Sequence, residues 1–301
     1  MDAGRLTAMA QLFCFGFGYS ARALAKRLSA QGWSVTGTVR SPAEKKAEGV
    51  ETLVFDATAP SEEVRTALKQ ASHILVSVPP DEAGDPVLSS HGADIAAEAG
   101  HQKWIGYLST VGVYGDHGGA WVDEETQPDP VTARGRRRLA AERAWAELGQ
   151  QTGIPVAIFR LAGIYGPGRS PLDGLKRGEA RRIVKPGQVF NRIHLADIAA
   201  VLSASIARPP AFPRIYNVCD DEPAPPQDVV TFAARLLGRP PPPEEPFATA
   251  DLSPMAKSFY AENKRCRNAR VKRELGVRLE YRNYRDGLTA LFRSGDASDN
   301  S

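Results

Sequence analysis

"LFCFGFGYSARALAKRL", residues 12–28, decides how the rest of the chain is read. Its first four residues are the short apolar run that a strand buried on both faces requires. From Ser20 to Gln31 the apolar residues Ala21, Leu24, Ala25 and Leu28 share one helical face, and Gly32 stands where a helix C-cap belongs. Between strand and helix, Gly16, Gly18 and Ala21 form G-x-G-x-x-A. The first glycine permits a tight turn, and the second lets a pyrophosphate approach the backbone. The small third residue lets helix and strand pack closely. The helix behind the turn offers free N–H groups and the positive end of a dipole to phosphate. Such glycines also occur in turns that bind nothing, so the residues beyond the turn decide its meaning.

Those residues alternate between two patterns. "WSVTGTV" (33–39), "ETLVFD" (51–56), "HILVSVP" (73–79), "KWIGYLST" (103–110) and "IPVAIFRLAGIYG" (154–166) read as strands. Helices are predicted between them: from about Pro42, near Ser61, across Gly92–Ala99 and over Val131–Gln151. The alternation predicts an α/β fold with a doubly wound parallel sheet and right-handed crossovers. It becomes irregular after Pro167. "NRIHLADIAAVLSASIA" (191–207) reads as a helix entry, "RIYNV" (214–218) as a strand, and the proline-rich "GRPPPPEEP" (238–246) as a loop or spacer. Helical pieces are expected near Pro254–Glu262 and Asn268–Leu275. The expected division is a dinucleotide-binding domain, 11–166 plus about 188–220, and a smaller C-terminal substrate-side subdomain, about 167–187 plus 221–292. Residues 293–301 are expected to form a disordered tail.

With 38 basic against 35 acidic residues, the net charge of +3 is too balanced to argue for nucleic acid as a partner. Local basic runs at Arg134–Arg138 and Lys264–Arg273 read as solvated helix faces. Cys14, Cys219 and Cys266 show no metal-ligand spacing, so no metal is expected, and Cys14 reads as a small core residue. No apolar stretch approaches the roughly 18 residues that span a bilayer, and the N-terminus lacks a signal-peptide core. A cytoplasmic protein without a membrane partner is the expectation.

The end of the second strand should choose the nucleotide. An acidic residue about 20 positions beyond the glycines would hold a ribose 2′-hydroxyl, but the strand ends in Arg40 and Ser41. A guanidinium suits a 2′-phosphate, so NADP is favoured over NAD. Asp56 is placed to reach the adenine edge or to cap the next helix. The expected cofactor-lining set is Gly16, Gly18, Tyr19, Ser20, Ala21, Arg40, Ser41, Asp56, Ala57, Val78 and Pro79, with Arg138 from the long helix.

Six further segments, in order, carry a resemblance: "YLSTVGVYGD" (107–116), "VDEETQPDP" (122–130), "RRLAAERAW" (137–145), "FRLAGIYGPGR" (159–169), "NRIHLADIA" (191–199) and "YNVCDDEP" (216–223). Over residues 11 to 290 the chain resembles the extended short-chain dehydrogenase/reductases, the NAD-dependent epimerase/dehydratase group; its short glycine turn is similar to that of the atypical members. The resemblance implies a Rossmann-type fold. It also implies a serine or threonine after the fifth strand, and a Tyr-x-x-x-Lys pair on the next helix that exchanges a proton while hydride moves.

Ser109 and Thr110 match the first element, but "RRLAAE" aligned with "SKLAAE" puts Arg138 at the lysine and Arg134 at the tyrosine. An arginine at 138 retains donors for a ribose. An arginine at 134 cannot serve as a general acid near neutrality, since its pKa exceeds about 12. Tyr260-x-x-x-Lys264 lies far from the family position and reads as a chance match. Substitutes to weigh are Tyr114, Tyr165, His117, Asp123 and Glu124, each of which also has a structural reading. His194 and Asp197 read as structural. The candidate catalytic set is Ser109, Thr110, Tyr114, His117, Arg134 and Arg138.

Arg134 and Arg138 share a helical face, either a clamp for an anionic substrate or a solvated surface. Three functions stay open at this point. One is an NADP(H)-dependent oxidoreductase or epimerase-like enzyme acting on an unidentified small molecule. Another is a non-catalytic NADP(H)-binding sensor or regulator. The third is a Rossmann-like binder of another nucleotide. Monomer and homodimer both remain possible.

Overall fold

The computed structural model describes residues 10–44 and 49–295. In chain order the first elements are β1 (Gln11–Phe15), α1 (Tyr19–Ser29), β2 (Ser34–Val39), β3 (Glu51–Val54), α2 (Glu62–Gln70), β4 (His73–Val76), α3 (Pro86–Ala97) and β5 (Trp104–Thr110). Next come β6 (Trp121–Val122), α4 (Ala133–Thr152), β7 (Val156–Leu161), β8 (Gly163–Tyr165), α5 (Pro171–Lys176), β9 (Arg182–Val184), β10 (Arg192–His194) and α6 (Leu195–Ala207). The chain ends with β11 (Arg214–Val218), α7 (Pro226–Leu236), β12 (Glu244–Pro246), α8 (Pro254–Tyr260), β13 (Arg265–Cys266), α9 (Ala269–Leu275) and α10 (Tyr284–Arg293).

Seven strands form a parallel sheet in the order β3-β2-β1-β4-β5-β7-β11. The order reverses between β1 and β4, which places the glycine turn at the topological switch point where open α/β sheets bind ligands. Leu12, Phe13, Cys14 and Phe15 are all 0% exposed, as a strand covered on both faces demands. The apolar face of α1 (Ala21, Leu24, Ala25, Leu28) is buried as its spacing requires. Gly32 lies two residues past the C-cap Ala30 at φ +81°, and Trp33 N–H bonds back to Leu28 O at 3.2 Å.

The chain divides into two compact units. The first holds the described residues up to Ser109, with Ala140–Ile158 and Leu202–Arg214. Within it α2 is capped by Ser61 and carries Glu62 and Glu63 in its first turn. The Asp85 side chain caps α3 by accepting from Val87 N–H at 3.0 Å and Leu88 N–H at 3.1 Å. The other Asp85 oxygen accepts the indole N–H of the fully buried Trp145, also at 3.0 Å.

The second unit holds Thr110–Leu139, Phe159–Val201 and the described residues from Ile215 onward. One of its cores gathers Tyr165, Leu172, Ala224, Val229, Ala233, Tyr284, Leu288 and Leu291. Three two-stranded pairs (β8 with β10, β9 with β12, β6 with β13) brace it. The Asp197 carboxylate accepts the backbone N–H groups of Glu280 and Tyr281 at 2.7 and 3.1 Å, which is the structural role its position suggests.

Several local expectations change. The stretch 154–166 is two strands, because β8 leaves the main sheet to pair with β10. The end of the proline-rich segment is not simply a spacer: Glu244–Pro246 pairs with β9. From Pro42 there is a 3-10 turn through Glu44, and 45–48 lie outside the described residues. Helix α3 begins at Pro86, earlier than expected, because Asp85 supplies a cap and Pro86 fits the first helical position. The run 264–273 is not a solvated helix face: Lys264 is 5% exposed and Cys266 is buried in β13. Residues 110–139 and 159–166 fall in the second unit. The expected tail, 293–301, begins with the last residue of α10, and 296–301 lie outside the described residues. All three cysteines are buried free thiols. Among the described residues no helix is long and apolar enough to cross a membrane.

Candidate functional site

In the first unit the turn after β1 is shaped for close approach. Gly16 takes φ +83°, its N–H bonds Thr38 Oγ1 at 2.8 Å, and its carbonyl accepts the Ser77 hydroxyl at 2.6 Å. A Cβ there would come within 2.7 Å of Ser77 Oγ and 3.2 Å of Val78. At Gly18 the opposite holds: a Cβ would meet no heavy atom within 4 Å. Gly18 is the N-cap of α1, no side chain caps this helix, and its first turn carries no acid. The unmade N–H bonds of a helix start therefore face a surface that a side chain at 18 would obstruct. A dinucleotide pyrophosphate fits such a turn.

Around it, Ser20 and Ala21 are buried, Tyr19 is half-buried, and Val78 and Pro79 follow the end of β4. Arg40 is exposed and Ser41 half-buried just past β2. Asp56 is exposed; the N–H of Thr58 holds its carboxyl below the usual range, and the Thr58 hydroxyl adds to the effect. Ala57 takes φ +68°, so the chain turns sharply after β3.

Ser109 ends the first segment of the first unit, 5% exposed, with its hydroxyl donating to Glu142 at 2.5 Å. Glu142 is itself 3% exposed and lies on α4, one helical turn past Arg138, which is half-buried. Ser109 is thus tied to the helix behind the sheet.

In the second unit Thr110 is half-buried, and its Oγ1 accepts from Gly112 N–H at 3.1 Å. Its own hydroxyl proton has no acceptor among the described residues. Tyr114 is fully buried; its hydroxyl donates to Asn217 at 2.8 Å and its ring stacks on Arg160, while burial pushes the phenol up. His117 donates from Nε2 to Tyr114 O at 3.1 Å and anchors the loop. Tyr165 is buried in the core described above. Asp123 accepts from Glu125 and Thr126 N–H, and Glu124 accepts from Asn217 N–H at 2.8 Å. Apart from the Thr110 hydroxyl proton, each of these groups is already engaged in holding the fold.

The loop 110–119 instead meets residues from far along the chain. The Lys264 ammonium donates to Gly115 O at 2.7 Å and to Glu262 Oε2 at 2.5 Å. A Cβ on Gly112 would lie 3.4 Å from Thr110 Oγ1 and 3.9 Å from Glu262 Oε2, so the hydroxyl and the carboxylate flank the same point. Glu262 Oε1 has no hydrogen-bond partner among the described residues. Arg134 is exposed, and its guanidinium carbon sits 5.1 Å from the centre of the Phe259 ring on α8. Stacking of this kind at an exposed site contributes about 0.5–1 kcal/mol. Glu262, Lys264 and Phe259 were not among the sequence candidates. The one available signal was Tyr260-x-x-x-Lys264; α8 ends at Tyr260, so the pair does not share a helical face, yet Lys264 reaches the loop after β5.

Known proteins match along most of this chain. Protein YeeZ of Escherichia coli K12 is 31% identical over 248 residues, covering 78% of this chain and 86% of YeeZ. A conserved protein of unknown function from Silicibacter pomeroyi is 53% identical in a solved structure with TM-score 0.88, covering 95% of this chain and 99% of that one. The dTDP-glucose 4,6-dehydratase of Bacillus anthracis, solved with NAD, shares the fold at 14% identity and TM-score 0.76, covering 96% and 97% of the two chains. Residues 16–219 match the family described as NAD dependent epimerase/dehydratase, and the chain belongs to that family.

Proposed function

We propose that the chain is an NADP(H)-dependent oxidoreductase of the epimerase/dehydratase type, working with a proton-transfer set other than the tyrosine–lysine pair. The observation that carries the reading is the turn at Gly16–Ala21, open at Gly18 and backed by an uncapped helix start, with Arg40 in place of an acid after β2. When bound, the nicotinamide dinucleotide supplies hydride exchange with a substrate carbon. The chain's own groups hold the substrate and handle its proton. The Thr110 hydroxyl donates to a substrate oxygen, Glu262 takes the proton that leaves it, and Lys264 keeps one Glu262 oxygen fixed. Arg134 offers a cation for an anionic substrate group.

A second reading, a non-catalytic NADP(H) sensor, is supported by Arg134 and Arg138, which the resemblance aligns with the tyrosine and lysine. The test starts with nicotinamide fluorescence titrations of NADPH and NADH, alongside Arg40→Ala. Tighter NADPH binding that is lost in the variant supports the cofactor assignment. Turnover is then assayed with dTDP-glucose and related sugar nucleotides, the class named for the Bacillus fold relative. Binding without turnover favours the sensor. A folded sample that binds neither nucleotide overturns both readings.

A further inference from the structure

Glu262 and Lys264 stand in the stretch 261–264, between α8 and β13, where the chain is neither helix nor strand. Backbone in such a stretch must find its hydrogen bonds elsewhere. Asn263, half-buried between the two, finds them in two other segments. In the loop 110–119, Asp116 Oδ1 accepts its N–H at 2.8 Å, and its carbonyl accepts the N–H groups of His117 at 3.0 Å and Gly119 at 2.9 Å. In the segment 187–189, its Nδ2 donates to Gly187 O at 3.0 Å and its Oδ1 accepts the Val189 N–H at 3.2 Å. Every polar atom of the residue is spent.

The neighbours are tied in the same way: Gln188 Nε2 donates to Glu262 O at 2.7 Å, and Asn191 Nδ2 donates to Lys264 O at 3.0 Å. The Asp116 anchor is a charged one. Burial works against its charge, yet the N–H groups of Asn263 and Gly118 hold the carboxyl below the usual range, with Lys185 and Lys264 adding to the effect. The fit to the loop is close, since a Cβ on Gly119 would lie 3.2 Å from Asn263 Nδ2. The side-chain anchors also fix the residue type. Aspartate lacks the donor for Gly187, and serine has no second polar atom for Val189.

We propose that Asn263 is the positioning residue of this site: by tying its own backbone to the loop 110–119 and to 187–189, it sets where the Glu262 carboxylate and the Lys264 ammonium stand relative to the Thr110 hydroxyl. The inference rests on the reading of Glu262 as proton acceptor. Asn263 acts through its neighbours and transfers no proton. Its leverage is geometric. A proton acceptor must come within about 2.6–3.2 Å of its partner, and a misplacement of about 1 Å can cost roughly 10²-fold in rate.

Nuclear magnetic resonance of the full chain, isotope-labelled at the glutamate carboxyl carbons, tests this without a substrate. Glu262→Gln identifies the Glu262 signal by its loss. The Glu142 signal, identified likewise, is the control, because Glu142 pairs with Ser109 in the first unit. Asn263→Ala removes the anchors on 187–189, and Asp116→Ala removes the acceptor in the loop. In both variants the Glu262 signal should move towards that of solvent-exposed glutamates while the Glu142 signal holds. Asn263→Asp, which keeps the acceptor for Val189, should recover part of the wild-type position. With dTDP-glucose as the turnover probe, Asn263→Ala should lower kcat by about 10- to 100-fold and leave KM within about twofold.

A Glu262 signal that stays in place in folded Asn263→Ala and Asp116→Ala overturns the proposal and leaves the reading of Glu262 standing. Glu262 and Glu142 signals that move together also overturn it, since Asn263 then supports the fold at large. Full turnover in Glu262→Gln overturns the proton-acceptor reading and the positioning role with it.

Discussion

The turn at Gly16–Ala21, in the first unit, and the loop after β5, in the second, are made of different material. The first is backbone: a positive φ at Gly16, an absent side chain at Gly18, and the unmade N–H bonds of α1. The second is side chain: the Thr110 hydroxyl, the Glu262–Lys264 pair and Arg134 stacked on Phe259. Backbone geometry tolerates little change, since almost any substitution in the glycine turn removes the space or strains the chain. A side-chain site can be rebuilt one residue at a time, with a carboxylate from another segment replacing a lost phenol. A family member can therefore keep its nucleotide turn and still lose the pair of residues by which the chemistry is usually recognised.

The largest predicted effect tests the side-chain half. Glu262→Gln should lower turnover by about 10²- to 10⁴-fold, the loss typical of a positioned proton acceptor. Cofactor affinity, read by nicotinamide fluorescence, should stay unchanged. Full turnover in that variant would break the contrast, because the loop after β5 would then be scaffold. The backbone half is tested by Gly18→Val. A Cβ at 18 meets no heavy atom within 4 Å, so the melting temperature should hold while NADPH and NADH binding both fall by about 100-fold or more, some 3 kcal/mol of lost affinity. A variant that still binds would place the pyrophosphate elsewhere.

A smaller effect compares the two units through pH. Burial holds His73, in the first unit, near pKa 4, and Lys103 adds to the shift. Burial holds His194, in the second, near 4 as well, with Glu280 partly opposing it. Both sit below the unfolded histidine value of 6.5, so their neutral forms favour the fold above pH 6.5. That stability is lost as pH falls from 6.5 towards 4, by up to about 3 kcal/mol for each. Urea unfolding between pH 7 and pH 4.5 should show the decline, and His73→Phe should remove the share of the first unit. The smallest effect concerns Tyr114. Tyr114→Phe leaves the Asn217 oxygen without its donor, at a cost of about 1–3 kcal/mol of stability. With wild-type turnover in the same protein, Tyr114 is confirmed as scaffold.

The same contrast explains what the sequence made legible. Gly16, Gly18, the apolar stripe of α1 and the β-α alternation lie within a few residues of one another, so spacing alone revealed the turn and the sheet. Arg134 and Arg138 were also readable in the sequence, within a helix whose pattern predicted α4. Glu262 and Lys264 were not, since only the fold brings β13 and the end of α8 against the loop after β5. Ser109 and Tyr114 show the converse, as residues of catalytic type whose hydroxyls the packing has already engaged.

The buried cysteines give the chain a built-in clock. Cys14 lies in the first unit and Cys219 and Cys266 in the second, and burial raises all three thiols above their ordinary range, Cys266 to about 12. A thiol reagent can reach them only when the surrounding structure opens. The rate at which each is labelled therefore measures how often its own unit opens, without any engineered probe. Labelling at saturating NADPH would show which unit the nucleotide holds closed: slower reaction at Cys14 alone would mark a ligand that clamps the β1 region and leaves the second unit to open at its native frequency.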